Sequence, residues 1–337
     1  MAHKTGIITF QNANNYGAVL QAFALQKVME ELGSEVNIIN YNSPNMGLKS
    51  LQKDYFKDFI SEYLNLTEEY NSINNIEAQG YDLLITGSDQ VWNPQLTGCD
   101  PAYFLSFAKE KTKTAAYAAS IGIEGNELEP YRSFFEENLQ KIMSVSIREE
   151  SQKQFIQEII NDNVNVNVDP TLLLSADQYL GYLGIERKNR EYIFMYSNNA
   201  DAKLLDFVNL LSLYTEMPVV AVTRLDEMLF VDGSTVYRQV PPKEWLSAIA
   251  SSSIVITDSF HGLMFSLIFE KPFYIYTKKR NNISRITGIL EQCDLFDRRL
   301  TKLGSVDEVE YNIDFSKARE VIQDGKQKAV MYLKGIY

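Results

Sequence analysis

The sequence predicts two α/β domains with mainly parallel sheets that face each other across a cleft. A chain of 337 residues exceeds what one hydrophobic core usually serves. Short apolar segments alternate with segments of helical periodicity, and this alternation restarts after residues 169–171. We therefore place an N-terminal domain at residues 1–170, a C-terminal domain at 171–312, and a helix at 313–337 that can pack back on the first domain.

The first half begins with a strand–helix–strand unit. Residues 6–10 are rich in β-forming side chains, residues 18–32 repeat apolar side chains at helical spacing, and residues 36–40 form the next strand. This order indicates a parallel sheet. Further strands are predicted at 81–86, 113–119, 143–147 and 164–168, and helices at 54–79, 128–141 and 151–161.

The second half repeats the same alternation. Strands are predicted at 192–197, 218–223, 253–257 and 272–277, and helices at 201–215, 241–250 and 261–270. Proline at the start of the 241–250 segment is typical of a first helical turn. The tail from residue 314 onward is also predicted to be helical.

Composition excludes several classes of protein. With 32 basic and 44 acidic residues the net charge is -12, which disfavours nucleic-acid binding because phosphate neutralisation supplies most of that affinity. Cys99 and Cys293 match no metal-ligand spacing, and two histidines are too few for a His-rich zinc centre. No apolar run approaches a membrane span, and the chain begins with a strand-like segment. We expect a cytoplasmic protein, with peripheral contact at the inner face of the membrane left open.

The loops that follow the strands are the places to look for a site, because ligands of open α/β sheets collect there. The first such loop is rich in amides, which both donate to and accept from sugar hydroxyls. Its candidate acceptor-binding residues are Asn12, Asn14, Asn15, Tyr16 and Gly17. The alternative is that asparagine and glycine only shape a turn. The glycine-rich dinucleotide fingerprint is absent from this loop.

A second polar loop follows the strand at 81–86. It places a carboxylate, a hydroxyl and amides side by side, so Asp89 is a candidate general base and Trp92 a candidate platform for a sugar ring. Ser88, Gln90 and Asn93 complete this candidate acceptor-binding segment. The alternative is a turn closed by Asp89 beside a core tryptophan.

A third segment ends the strand at 143–147 with Arg148. A guanidinium at this place suits a two-pronged contact with a carboxylate or phosphate. The alternative is that Glu149 and Glu150 simply pair with it.

The fourth segment follows the strand at 253–257. Asp258 is a second candidate base, and Ser259 is a natural helix N-cap. His261 then lies in the first helical turn, where a titratable imidazole meets free backbone N–H groups and the positive helix end, and Gly262 follows. This arrangement favours binding of a phosphate group beside a general acid.

The fifth segment, residues 278–285, has four cations in a chain that is acidic overall. An anionic substrate requires positive charge to be gathered locally, and this loop meets that condition. Lys279, Arg280 and Arg285 are its candidate donor-binding residues. A solvated basic loop is the alternative.

Together these segments resemble the polysaccharide pyruvyl transferase family. The resemblance lies in residues 8–22, 81–94, 116–122, 144–150, 168–174, 257–262, 271–276 and 281–286, in fixed order. It implies a GT-B-like fold of two Rossmann-like domains. It also implies transfer of pyruvate from phosphoenolpyruvate to a sugar as a cyclic ketal, with Arg148 and His261 as family residues and either Lys279 or Arg280 as a third. Some relatives have Arg-Leu-His where this chain has Ser259-Phe260-His261, so Arg285 or Arg148 can take the place of that arginine.

The implied reaction matches the candidate residues. His261 could protonate the methylene carbon or the leaving phosphate, and Asp89 or Asp258 could accept a hydroxyl proton. The C-terminal domain would hold the donor and the N-terminal domain a sugar of a polysaccharide or its precursor, such as an exopolysaccharide or capsule. We expect no metal or cofactor besides phosphoenolpyruvate; a lipid-linked acceptor and the oligomeric state stay open. The alternatives are a GT-B-like glycosyltransferase that uses a nucleotide sugar, or a non-catalytic carbohydrate-binding relative.

Overall fold

Two parallel sheets organise the chain, each within one of two structural units. The computed structural model describes residues 3–45, 54–78, 80–123, 125–197, 199–277, 284–300 and 306–337. Unit 1 comprises Met1–Leu174 and Gln323–Tyr337, and unit 2 comprises Ser175–Ile322.

Unit 1 contains a five-stranded sheet in which every pair of neighbours is parallel. The strand order is β3-β2-β1-β4-β5. Two short strands, β6 and β7, pair with each other, and β6 runs beside β5. The elements are β1 (His3–Ile8), α1 (Tyr16–Glu31), β2 (Ser34–Tyr41), α2 (Asp54–Tyr63), β3 (Leu66–Tyr70), β4 (Leu83–Gly87), α3 (Pro94–Thr97), β5 (Lys113–Tyr117), α4 (Arg132–Leu139), β6 (Ser146–Ile147), α5 (Lys153–Ile160) and β7 (Asn165–Val166).

Unit 2 contains a six-stranded parallel sheet in the order β10-β9-β8-β11-β12-β13. Its elements are α6 (Ala176–Leu183), β8 (Ile193–Ser197), α7 (Ala202–Thr215), β9 (Val219–Thr223), β10 (Thr235–Tyr237), α8 (Pro242–Ser251), β11 (Ile254–Thr257), α9 (Phe260–Ile268), β12 (Phe273–Tyr276), α10 (Ser284–Gln292) and β13 (Arg299–Leu300). A last helix, α11 (Ser316–Gly335), begins in unit 2 and ends in unit 1, where the Tyr332 hydroxyl donates to the Ala116 carbonyl at 2.8 Å.

The central strands are apolar because both faces of a parallel sheet are covered. All residues of β4, β8, β11 and β12 are buried. These are the strands that the sequence marks most clearly, as short apolar runs bounded by polar loops. Among the described helices, none combines the length and the hydropathy that crossing a bilayer requires.

One predicted helix is wrong. The sequence favours a helix over 54–79, but α2 ends at Tyr63 and the chain continues as the edge strand β3. The segment Leu66–Tyr70 contains two glutamates, which favour helices locally. Pairing with β2 satisfies the backbone groups on one side of this strand, and this tertiary contact outweighs the local preference.

Candidate functional site

In each unit, polar loops follow the two strands between which the strand order reverses. That point lies between β1 and β4 in unit 1 and between β8 and β11 in unit 2. Ligands of open parallel sheets bind at the carboxyl ends of the strands at such a point. The predicted segments after β1, β4 and β11 therefore lie where a site is expected.

In unit 2, Asp258 joins the loops that follow β8 and β11. One of its carboxylate oxygens accepts a hydrogen bond from the Ser197 hydroxyl at 2.8 Å and another from the Asn199 backbone N–H at 3.1 Å. The carboxylate is half-buried. These two hydrogen bonds hold the carboxylate in place, so Asp258 anchors the two loops and keeps an acceptor at the switch point.

The next residues begin helix α9 and fix the position of His261. Ser259 is the N-cap, and its hydroxyl accepts from the Gly262 backbone N–H at 3.3 Å. A Cβ at Gly262 would lie 2.4 Å from the Thr257 hydroxyl oxygen, so only glycine lets the helix start this close to β11. His261 is half-buried in the first turn, at the positive end of the helix.

Aromatic contacts connect His261 with Arg285. The rings of His261 and Phe260 are 5.2 Å apart and nearly perpendicular. The guanidinium carbon of Arg285 lies 5.2 Å from the centre of the same Phe260 ring, a cation–π contact. Unit 2 thus brings a carboxylate, an imidazole and a guanidinium to one sheet edge. Lys279 and Arg280 lie outside the described residues.

In unit 1, the loop after β4 contains strained backbone beside a carboxylate. Asp89 has φ = 63°, and Ala118, after the neighbouring strand β5, has φ = 46°. Left-handed backbone is unfavourable for alanine and clusters at functional sites. The Asp89 carboxylate is half-buried and accepts from the Gln90 backbone N–H at 2.8 Å.

Arg148 is held in a buried ion-pair cluster. Its guanidinium contacts Glu149 at 3.0 Å and Asp169 at 2.8 Å, and its side chain is only 4% exposed. Burial opposes its charge, but the nearby carboxylates, including Asp89, raise the pKa of Arg148 above its ordinary value. Glu149 pairs with Arg148 as the ion-pair alternative expects, whereas Glu150 lies 3.3 Å from Lys153. Contact of Arg148 with the donor stays a prediction.

Trp92 is wrongly predicted as a sugar platform. It is 1% exposed, its Nε1 donates to the Tyr103 carbonyl at 2.9 Å, and its ring stacks on Phe104. Ser88 and Tyr16 are likewise buried and present no side-chain surface to an acceptor. The core-tryptophan alternative is the correct one.

The remaining polar residues of these loops have local structural partners. The Asn12 amide donates to Asn40 and Asn42 at 2.8 and 2.7 Å. The Asn15 side chain caps α1, where Gly17 is buried in the first turn. The Asn93 side chain caps α3, and its amide donates to Gln90 at 2.8 Å. Asn14 is half-buried. Contact of these residues with an acceptor stays a prediction.

Three residues that the local sequence pattern does not mark as candidates hold candidate side chains in place. Asp169, where the α/β pattern restarts in the sequence, has a carboxylate that accepts from Arg148 and caps the turn at Pro170–Leu173. Ser197 and Asn199 bind Asp258 from the end of β8. Their polar position at a strand end was the available signal.

Comparison with known proteins decides the family. A family model described as polysaccharide pyruvyl transferase matches residues 15–277, most of the chain. The chain belongs to the polysaccharide pyruvyl transferase family. No curated protein matches the sequence of this pyruvyl transferase family member. The family is a transferase family, which supports transferase activity and implies a sugar or polysaccharide acceptor.

Solved structures similar to this pyruvyl transferase family member show its fold. UGT71G1 of Medicago truncatula complexed with UDP-glucose is 11% identical with a TM-score of 0.56, over 99% of this chain and 98% of that one. The UDP-GlcNAc 2-epimerase of Neisseria meningitidis bound to UDP-GlcNAc is 11% identical with a TM-score of 0.55, over 98% and 94%. These are GT-B enzymes, so the predicted GT-B-like α/β fold with parallel sheets is confirmed.

Proposed function

We propose that this family member transfers the enolpyruvyl group of phosphoenolpyruvate to two hydroxyls of one sugar in a polysaccharide or its precursor. The product is a pyruvate ketal, and inorganic phosphate is released. The observation that carries the proposal is the cluster at the β8–β11 switch point, where His261 lies at a helix N-terminus beside Asp258 and the Phe260–Arg285 pair.

The reaction needs two additions to one carbon. The first sugar hydroxyl adds to C2 of phosphoenolpyruvate while its methylene carbon gains a proton and becomes a methyl group. The second hydroxyl then replaces phosphate at C2, and its proton leaves with the phosphate or a base. Each positioned proton transfer supplies about 10²–10⁴-fold in rate.

Each described residue of the unit 2 cluster has a place in this scheme. His261 delivers the proton to the methylene carbon or to the leaving phosphate. Asp258, which already accepts two hydrogen bonds, takes a hydroxyl proton. The first-turn N–H groups of α9 and the Arg285 guanidinium bind the phosphate or carboxylate of the donor. Asp89 of unit 1 is the second candidate base, and unit 1 is proposed to hold the acceptor.

The experiment supplies phosphoenolpyruvate with nucleotide-linked and lipid-linked sugars and follows phosphate release and sugar mass. The proposal expects phosphate together with a sugar heavier by one pyruvate less one water. Nucleotide release from a nucleotide sugar, without pyruvylation, would instead indicate a glycosyltransferase, as the UDP-sugar complexes of the fold neighbours suggest. Sugar binding without turnover would indicate the carbohydrate-binding alternative.

Variants then test the assigned residues. His261→Ala is expected to reduce turnover about 10²–10⁴-fold, and Arg285→Ala to raise the KM for phosphoenolpyruvate. The matched control is Arg319→Ala, because Arg319 pairs with Glu270 just beyond the far end of α9 from His261. Unchanged turnover in folded His261→Ala would refute the assignment.

A further inference from the structure

A cavity lies at the opposite edge of the unit 1 sheet, where the strands begin. A cavity of about 460 Å³ is lined there by residues next to the starts of β1, β4 and β5 and by the last residue of the sequence. This volume is within the range of small-molecule pockets, roughly 300–1,000 Å³. Because the strands are parallel, this edge is separate from the one that carries Asp89 and Ala118.

The cavity gathers positive charge in an acidic chain. Lys109, Lys111 and Lys113 line it, all three are exposed, and within the described residues none of them has an ion-pair partner. Among the described lining residues one side chain is acidic, Asp82, which accepts from the Lys4 backbone N–H at 2.9 Å and lies 3.9 Å from His3. The lining side chains therefore have an excess of positive charge, although the whole chain carries a net charge of -12.

Two tyrosines supply flat apolar surface in the same cavity. Tyr81 is half-buried, and its hydroxyl donates to the Asn37 side chain at 3.4 Å. The Tyr337 ring lies 5.3 Å from the His3 ring, and its hydroxyl is hydrogen-bonded to Ser34. Both rings are therefore held in place by their polar ends, which lowers the cost of ordering them around a ligand.

We propose that this lysine-lined cavity binds a small anion that joins a phosphate to a flat ring, as in a nucleoside monophosphate. Lysine ammonium groups attract phosphate as point charges, and converging cations raise the local concentration of anions. Tyrosine rings contact a flat ring through their faces. The site goes beyond the proposed pyruvyl transfer and does not depend on it.

The test is calorimetric titration of the full chain with AMP, inorganic phosphate and adenosine at low ionic strength. We expect saturable binding of one AMP per chain, weaker binding of phosphate and adenosine, and loss of affinity as salt is added, since salt screens exposed charges. Phosphate binding as tight as AMP binding would overturn the ring contact. Absence of saturable AMP binding would overturn the site.

Paired variants locate the binding. The double variant Lys111→Gln/Lys113→Gln is expected to bind AMP roughly tenfold more weakly, which corresponds to the sum of two modest surface charge contacts. Lys57→Gln is the matched control, because Lys57 is an exposed lysine of unit 1 outside the cavity. Equal affinity in the two variants would refute the assignment. So would loss of AMP binding in His261→Ala, because that would place AMP at the donor site.

Discussion

Replacing Arg148 with methionine is expected to destabilise unit 1 strongly, because the side chain compensates two buried carboxylates. Its side chain, Glu149 and Asp169 are 4%, 6% and 1% exposed, and the two contacts measure 3.0 and 2.8 Å. Removing one member of such a cluster leaves uncompensated buried charge, which costs about 3–5 kcal/mol. For a unit of this size that corresponds to a fall in melting temperature of roughly 6–20 °C.

The assay is thermal and urea unfolding followed by circular dichroism, with phosphoenolpyruvate turnover measured on the same samples. The matched control is Arg132→Met, because Arg132 of the same unit also contacts two carboxylates, Glu129 and Glu158, but those carboxylates are exposed. We expect this control to lose less stability than Arg148→Met, since its carboxylate partners are exposed and stay hydrated when the guanidinium is removed.

A double variant identifies the source of the loss. Adding Glu149→Gln to Arg148→Met removes one of the uncompensated charges, so stability is expected to recover in part. The opposite outcome would refute a stabilising role of the cluster. In that outcome Arg148→Met unfolds at the wild-type temperature and only the KM for phosphoenolpyruvate rises, which would show that Arg148 contacts the donor and that the buried ion pairs do not stabilise unit 1.

Three further predictions follow from unit 2 and the cysteines. Gly262→Ala is expected to lower the free energy of unfolding by about 1–3 kcal/mol through overpacking. Gly181→Ala, at a helical position with open space, is expected to raise it by roughly 0.5–1 kcal/mol. Urea unfolding measures both changes. Burial lowers the pKa of Lys271 from 10.5 to about 8. The free energy of unfolding of the wild-type protein, compared with that of Lys271→Met, is therefore expected to rise between pH 8 and 10.5, by up to about 1.4 kcal/mol per pH unit. Burial raises the pKa of the Cys293 thiol to about 11, so Cys99, which is less buried, reacts first with a disulfide reagent.

Each of these predictions has a result that contradicts it. Equal effects of alanine at the two glycines would show that β11 yields to the added Cβ. Parallel stability curves for wild type and Lys271→Met would show that the folded amine keeps its proton across the window. The sign follows from linkage, because the unfolded chain binds more protons there than the folded chain. A fast thiol reaction that disappears in Cys293→Ser would reverse the order of the cysteines.

Local patterns were sufficient for the sheet strands that carry the candidate site. β4, β8, β11 and β12 are short apolar runs followed by polar loops, and both features can be read from neighbouring residues. The start of a helix also depends on neighbouring residues, as Ser259 and Asn15 show by capping the helices that follow them. The edge strand β3 was missed because its sequence favours a helix and only pairing with β2 makes it a strand.

Periodicity, composition and the order of motifs are sufficient to predict the α/β class, the family and the loops that carry the polar side chains. Which of those side chains are buried depends on tertiary contacts. Arg148 contacts Asp169, which lies 21 residues further along the sequence, and Trp92 is covered by the segment that contains Tyr103. The lysine-lined cavity brings together His3 and Tyr337, which are far apart in the sequence. Burial and ion pairing depend on contacts between distant segments, and such contacts leave no local signal in the sequence.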